Sequence, residues 1–148
     1  MALDLITQRQ PAFGDASVVP TILVIDDDDA MVDALSQRLG RQGFEIMTAD
    51  SGEGGLALAR AEHPALVLLD LRLPDADGLA ICQELADSPE TCDIPVIVLS
   101  GMGQPDIVRR ARAAGGHYFL RKPYDPNVLL ILIRHALRES ARWTHLHH

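Results

Sequence analysis

Short apolar, β-branched runs alternate along the chain with stretches whose apolar residues recur every three or four positions. Thr21 to Ile25 reads as a buried strand. Asp28 or Asp29 can cap a following helix with apolar positions Met31, Leu35 and Leu39, and Gly40 and Gly43 stop it. Phe44 to Thr48 predicts a second strand. Ser51 can cap a second helix through Leu56, Ala59 and Glu62, which ends before Pro64. Leu66 to Leu69 is a third strand, apolar on both faces. Asp77 and Gly78 lead into a third helix carrying Leu79, Cys82 and Leu85. Pro95 to Leu99 predicts a fourth strand, Gln104 to Ala114 a fourth helix ended by Gly115 and Gly116, and His117 to Leu120 a fifth strand. Pro126 suits the first turn of a last helix running to about Ala141. Residues 1–20 contain Pro11, Gly14 and Pro20 and keep no period, so they read as a flexible leader. Residues 142–148 read as a short tail.

Five strand–helix units in alternation, with strands apolar throughout, imply a parallel sheet covered by helices on both faces. Right-handed crossovers make this a doubly wound α/β fold. Ligands of such folds bind beyond the carboxyl ends of the strands.

Composition narrows the picture. At 148 residues the chain suits one domain, spanning 21–141. Its net charge of −8 and lack of a long basic run argue against direct nucleic-acid binding. The apolar runs are too short for a bilayer, and no basic stretch followed by an apolar run marks a signal peptide. Cys82 and Cys92 are not a C-x-x-C pair and suit a reducing compartment, so a cytoplasmic location is expected. Of the 13 basic residues, only Lys122 is a lysine.

The strand ends gather chemistry. Strand one is followed by Asp26, Asp27, Asp28 and Asp29, strand three by Asp70, strand four by Ser100 and Gly101, and strand five, two residues on, by Lys122 and Pro123. Packed carboxylates cannot all ionise without a cation. Oxygen-only ligands select a hard ion, and a small site with room for water suits Mg²⁺. Asp is a known covalent nucleophile towards phosphoryl groups, and phosphoryl transfer needs mostly positioning and charge stabilisation. A lone lysine among arginines suggests that a compact ammonium is wanted there. Asp28 and Asp29 read better as a helix start, and Asp75 and Asp77 as loop and helix cap.

The motifs T-I-L-V-I-D-D, L-V-L-L-D-L-R-L-P-D-A-D-G, V-I-V-L-S-G and F-L-R-K-P stand in order, each at a strand end. With them the chain resembles a response-regulator receiver domain of two-component signalling, from Thr21 to about Arg138. The resemblance implies a five-stranded (βα)5 flavodoxin-like, CheY-like fold. It implies that Asp70 accepts a phosphoryl group from a histidine kinase or histidine phosphotransfer protein, with Mg²⁺ required. Asp27, Asp70 and the backbone carbonyl of Arg72 would bind the metal directly, and Asp26 through a water. Ser100 would be the switch hydroxyl, Lys122 the cation pairing with the phosphoryl group, and Phe119, three residues before it, the aromatic switch. Phosphorylation would alter the surface of helix 4, strand 5 and helix 5 for a partner or for dimerisation. The domain would be a switch rather than an enzyme, catalysing only its own phosphorylation and dephosphorylation.

Several residues depart from that pattern. Serine stands in place of the commoner threonine at position 100, and Phe119 lacks the usual tyrosine hydroxyl. Gly116 and His117 stand where many DNA-binding regulators of the family carry acids that pair across a dimer. Arg72, two residues after the acceptor, is expected to shield the phosphoryl group from water. Six consecutive apolar residues, Val128 to Ile133, exceed what a helix packed on one face requires and suggest a partner or dimer surface on helix 5. No effector domain is expected after Ala141, so the chain reads as a stand-alone receiver or a piece of a larger regulator or hybrid kinase. Two rivals remain. One is a phosphatase resembling the haloacid dehalogenase group, whose D-x-D-x-T pattern is met by Asp26 and Asp28 but not by Ala30. The other is a pseudo-receiver, an interaction module that is never phosphorylated.

Overall fold

The computed structural model describes residues 19–101 and 106–146. The elements alternate as β1 (Thr21–Ile25), α1 (Asp29–Arg41), β2 (Glu45–Ala49), α2 (Gly52–Glu62), β3 (Leu66–Asp70), α3 (Gly78–Asp87), β4 (Val96–Ser100), α4 (Ile107–Ala113), β5 (Tyr118–Arg121) and α5 (Pro126–Leu146). The strands form one sheet in the order β2-β1-β3-β4-β5, every pair parallel. The doubly wound α/β expectation is therefore met, with the order reversing between β1 and β3, where such folds bind ligands.

Strand periodicity divides the core in two. Ile22 and Val24 of β1, Leu66 and Leu68 of β3, and Ile97 and Leu99 of β4 face α1 and α5, meeting Leu35, Leu39, Leu129 and Ile133. Their alternates Leu23, Ile25, Val67, Leu69, Val96 and Val98 face α2, α3 and α4, meeting Leu56, Cys82, Leu85 and Ile107. Both faces of β1, β3 and β4 are thus buried, which is why β1 is apolar after Thr21 and β3 and β4 carry no polar residue before the last position.

The helices start where their caps sit. Asp28 accepts from Met31 N, Ser51 from Gly54 N, and Asp77 from Leu79 N. Gly43, at φ +94°, turns the chain out of α1 in a conformation suited to glycine. Boundaries differ slightly from expectation. In α1 the buried positions are Val32, Leu35 and Leu39, with Met31 only half-buried, and in α3 Ile81 replaces Leu79. A 3.6-residue turn favours the set that faces the sheet over a strict four-residue spacing. Pro95 lacks an N–H and joins the ladder only through its carbonyl, accepting from Val67 N, so β4 begins at Val96. Helix α4 is described over Ile107–Ala113; Gln104, its expected start, lies outside the described residues. Residues 1–18 of the expected leader also lie outside them. Helix α5 continues to Leu146, five residues beyond the expected end at Ala141, so the expected tail is largely helix. It buries one stripe, Leu129, Ile133, Ala136 and Leu137, yet leaves Val128 45% and Ile131 67% exposed. The six-residue apolar run therefore serves both the core and an outward face.

Gly78 opens α3 against the chain leaving β3. A Cβ there would lie 2.6 Å from the Leu71 carbonyl oxygen, which accepts from Gly78 N at 3.1 Å. Gly40, on the exposed side of α1, has open space around it. Gly78→Ala is expected to lower the unfolding free energy by about 1–3 kcal/mol, and Gly40→Ala to raise it by up to about 1 kcal/mol. Urea denaturation of the two variants checks both signs.

Candidate functional site

Parallel register carries the sequence-predicted acids to one place. Ile25 pairs with Leu69, so the next residues, Asp26 and Asp70, stand abreast at the carboxyl ends of β1 and β3. Asp26 N still bonds to Ala49 O at 3.0 Å, and Lys122 N to Ser100 O at 2.7 Å, so pairing runs one step past the strands. Strand alternation then puts Asp26, Asp70 and Lys122 over the α1/α5 face, in step with Val24, Leu68 and Leu120. Lys122 reaches across the end of β4: its Nζ lies 3.4 Å from Asp26 Oδ2 and 3.5 Å from Asp70 Oδ2. The Lys122–Pro123 peptide is cis.

Asp26 and Asp70 are almost fully buried, 3% and 7% exposed, whereas Asp27 is exposed. One ligand oxygen from each of Asp26, Asp27 and Asp70 lies within 4.8 Å of the others. Backbone donors hold two of them: Asp28 N donates to Asp26 Oδ1 at 3.0 Å, and Arg72 N to Asp70 Oδ1 at 3.3 Å. An open cleft of about 420 Å³ lies above, lined by Asp27, Asp28, Asp70, Arg72, Leu73, Pro74, Gly101 and Lys122. Asp70 thus faces both the acid pair and the cleft.

Burial pushes the Asp70 carboxyl above the ordinary aspartate range, and the Asp26 charge pushes the same way; the Lys122 ammonium and Arg72 N–H pull it back. Tyr124, half-buried on the α1/α5 side, is pushed up to about 12 by burial and by the negative charges of Asp26 and Asp70. Three clustered carboxylates with one ammonium leave an excess of negative charge, and the donor set is all oxygen. The residues present fit a hard divalent ion such as Mg²⁺.

Ser100, the last residue of β4, is fully buried, and the next residue, Gly101, lines the cleft beside Lys122 without a side chain. Phe119 does not reach the cleft. It is half-buried against the core on the α4 side and lines a separate groove of about 340 Å³ between α4 and α5 with Val108, Ala111 and Leu132. Asp77 is the α3 cap, as expected. Asp75 is not merely a loop residue: its carboxylate accepts from Gly52 N at 2.8 Å and Glu53 N at 3.1 Å, at the start of α2. Those N–H groups hold the exposed Asp75 carboxyl below the ordinary aspartate range. The partners are more than 20 residues away in sequence, so no local pattern announces them.

A buried acid pair at the reversal point of a parallel sheet, beside a lysine and an open cleft, is a set of groups that could hold a metal ion in an α/β domain. The comparisons sharpen that class. Residues 22–134 match the model of the response regulator receiver domain family. The chain is 39% identical over 124 residues to the DNA-binding dual master transcriptional regulator RpaA of Synechocystis, covering 84% of this chain and 52% of that protein. It is 36% identical over 118 residues to the response regulator PleD of Caulobacter vibrioides, covering 79% of this chain and 26% of that one. The receiver domain of a CheY-like response regulator from Methanospirillum hungatei superposes with a TM-score of 0.80 at 28% identity, over 84% of this chain and 98% of that one. The chain belongs to the response regulator receiver domain family of two-component signalling. It spans about half the length of RpaA and a quarter of PleD. Receiver domains are activated by histidine kinases and generally bind Mg²⁺. Among the described residues, no helix is long and apolar enough to cross a membrane.

The raised Asp70 carboxyl fixes the sign of a stability effect. The folded state holds the Asp70 proton more tightly than the unfolded chain does, so stability falls as pH rises through the raised value. Asp70→Asn, which cannot ionise, should therefore unfold at a higher temperature than the parent at pH 7.5 in EDTA. The gap should close below pH 3.8, the ordinary aspartate value, where both states carry the proton. Thermal unfolding across that pH range checks it.

Proposed function

We propose that the domain is a phosphorylation switch in which Asp70 accepts a phosphoryl group from a histidine kinase or histidine phosphotransfer protein. The observation that carries this reading is the placement of Asp70. Among the described residues it is the one carboxylate that both contacts Lys122 and opens onto the cleft, with Asp26 and Asp27 beside it. A carboxylate oxygen of Asp70 attacks phosphorus in line, the bond to the donor nitrogen or oxygen breaks, and the donor leaves with that electron pair. Lys122 lies where it can pair with an oxygen of the incoming group as the Asp70 charge is taken up in the acyl phosphate. The Ser100 hydroxyl would meet a second oxygen, and Gly101 leaves the approach unobstructed. Asp27, Asp70 and the Arg72 carbonyl would hold Mg²⁺, with Asp26 acting through a water. The ion would neutralise charge on the transferring group.

The switch then runs through β4 and β5. Movement of Ser100 towards the phosphoryl group would free space for Phe119 to turn inward and change the surface of α4, β5 and α5. Val128 and Ile131 would be part of what a downstream partner, or a second copy meeting at α5, finds there. Arg72, exposed at the cleft wall, would shield the acyl phosphate from water. RpaA is named a DNA-binding transcriptional regulator. In this chain we assign nucleic-acid contact to no described residue, so output passes to a protein partner or to an effector domain. The site would need no other cofactor, and a cytoplasmic setting suits the family.

Incubation with acetyl phosphate, with and without MgCl2, tests the reading by intact mass. The expected result is a base-labile adduct of one phosphoryl group that requires Mg²⁺ and is absent in Asp70→Asn. An adduct that survives in Asp70→Asn would move the chemistry to Asp26 and favour the phosphatase resembling the haloacid dehalogenase group. No adduct and no Mg²⁺ binding would favour the pseudo-receiver.

A further inference from the structure

The ligands of the acidic cleft come from two separate loops. Asp26 and Asp27 follow β1, while Asp70 ends β3 and Arg72 begins the connection from β3 to α3. That connection is closed at its base. Arg72 and Asp77 form an isolated antiparallel bridge, and Gly78 N donates to Leu71 O at 3.1 Å. Its tip needs a separate hold, and Asp75 supplies one by accepting two N–H groups from the first turn of α2.

Helix α2 is also packed against the end of the strand that leads to the other acids. A Cβ on Gly55 would collide with the Ile25 side chain, and Ile25 directly precedes Asp26. A Cβ on Gly52 would lie 3.1 Å from that of Ala76, the neighbour of Asp75. The first turn of α2 thus touches both the β3–α3 loop and the end of β1, from which Asp26 follows. Three of its N–H groups are satisfied by two different residues: Gly54 N by Ser51, within the helix's own start, and Gly52 N and Glu53 N by Asp75, from across the site.

We propose that Asp75 is a positioning residue, whose bidentate hold on α2 sets where the β3–α3 loop presents the Arg72 backbone to the metal site. This rests on the Mg²⁺ site assigned above. Groups that hold a ligand in place commonly change metal affinity by about tenfold or more when removed, although Asp75 itself lies outside the ligand set.

Two caps on one helix end give the control. Ser51→Ala removes the local cap and leaves the loop tethered; Asp75→Ala removes the tether. Both should lower the melting temperature. Only Asp75→Ala should weaken Mg²⁺ binding, by about tenfold in titration calorimetry, and speed hydrogen exchange at the Arg72 and Leu73 amides without metal. Asp75→Asn keeps one acceptor oxygen and loses the charge, so it should restore most of the affinity. Equal Mg²⁺ affinity in Asp75→Ala and Ser51→Ala would overturn the proposal, as would Asp75→Asn behaving like Asp75→Ala, which would make the effect one of charge. A parent protein that binds no Mg²⁺ would refute the metal site instead. The exchange rates would still decide the tether: faster exchange in Asp75→Ala alone supports it, and unchanged rates remove it.

Discussion

Two carboxylates abreast on neighbouring parallel strands are the constraint around which this domain is built. Like charges about 4 Å apart near a protein surface repel by about 4 kcal/mol. The total stability of a domain is only about 5–15 kcal/mol. Asp26 and Asp70 are nonetheless nearly buried, held by Lys122 and by the N–H groups of Asp28 and Arg72. One ammonium cannot balance them together with Asp27. The site is therefore poised to gain from any added positive charge. The rest of the sheet supplies the rigidity that keeps the acids there: β1, β3 and β4 are buried on both faces and end abreast.

That rigidity also explains how a local event could be felt elsewhere. Lys122 N bonds to Ser100 O, so the ends of β4 and β5 are tied to each other. Phe119, three residues before Lys122, sits on the opposite face of the sheet from Lys122, in the groove between α4 and α5. A pull on Ser100 and Lys122 at the cleft is thus only a few residues from a side chain at a distant surface. The exposed Val128 and Ile131 of α5 extend the apolar character of that region.

Much of this was legible in the sequence because strands and loops obey short-range rules. Apolar runs of four or five residues marked β1, β3 and β4, and capping residues marked α1, α2 and α3. Acids directly after such runs, and a solitary lysine two residues past the fifth strand, had to share one edge of a parallel sheet. Periodicity misjudged which residue of a helix turn faces inward, as with Met31 and Val32, because one turn offers two nearly equivalent positions. It also ended α5 too early, although nothing after Ala141 breaks a helix. The role of Asp75 was not legible at all. In sequence it is a turn residue in L-P-D-A-D-G, and its partners, Gly52 and Glu53, become neighbours only after β3 crosses to lie beside β1.

The central claim is that the carboxylate at the end of β3, rather than those after β1, reacts with phosphorus. The most direct measurement is borohydride reduction of the acyl-phosphate protein, which converts the modified aspartate to homoserine, followed by peptide mass spectrometry. The account predicts homoserine at position 70 and unchanged aspartate at 26 and 27. Homoserine at 26 or 27, with position 70 intact, would contradict it.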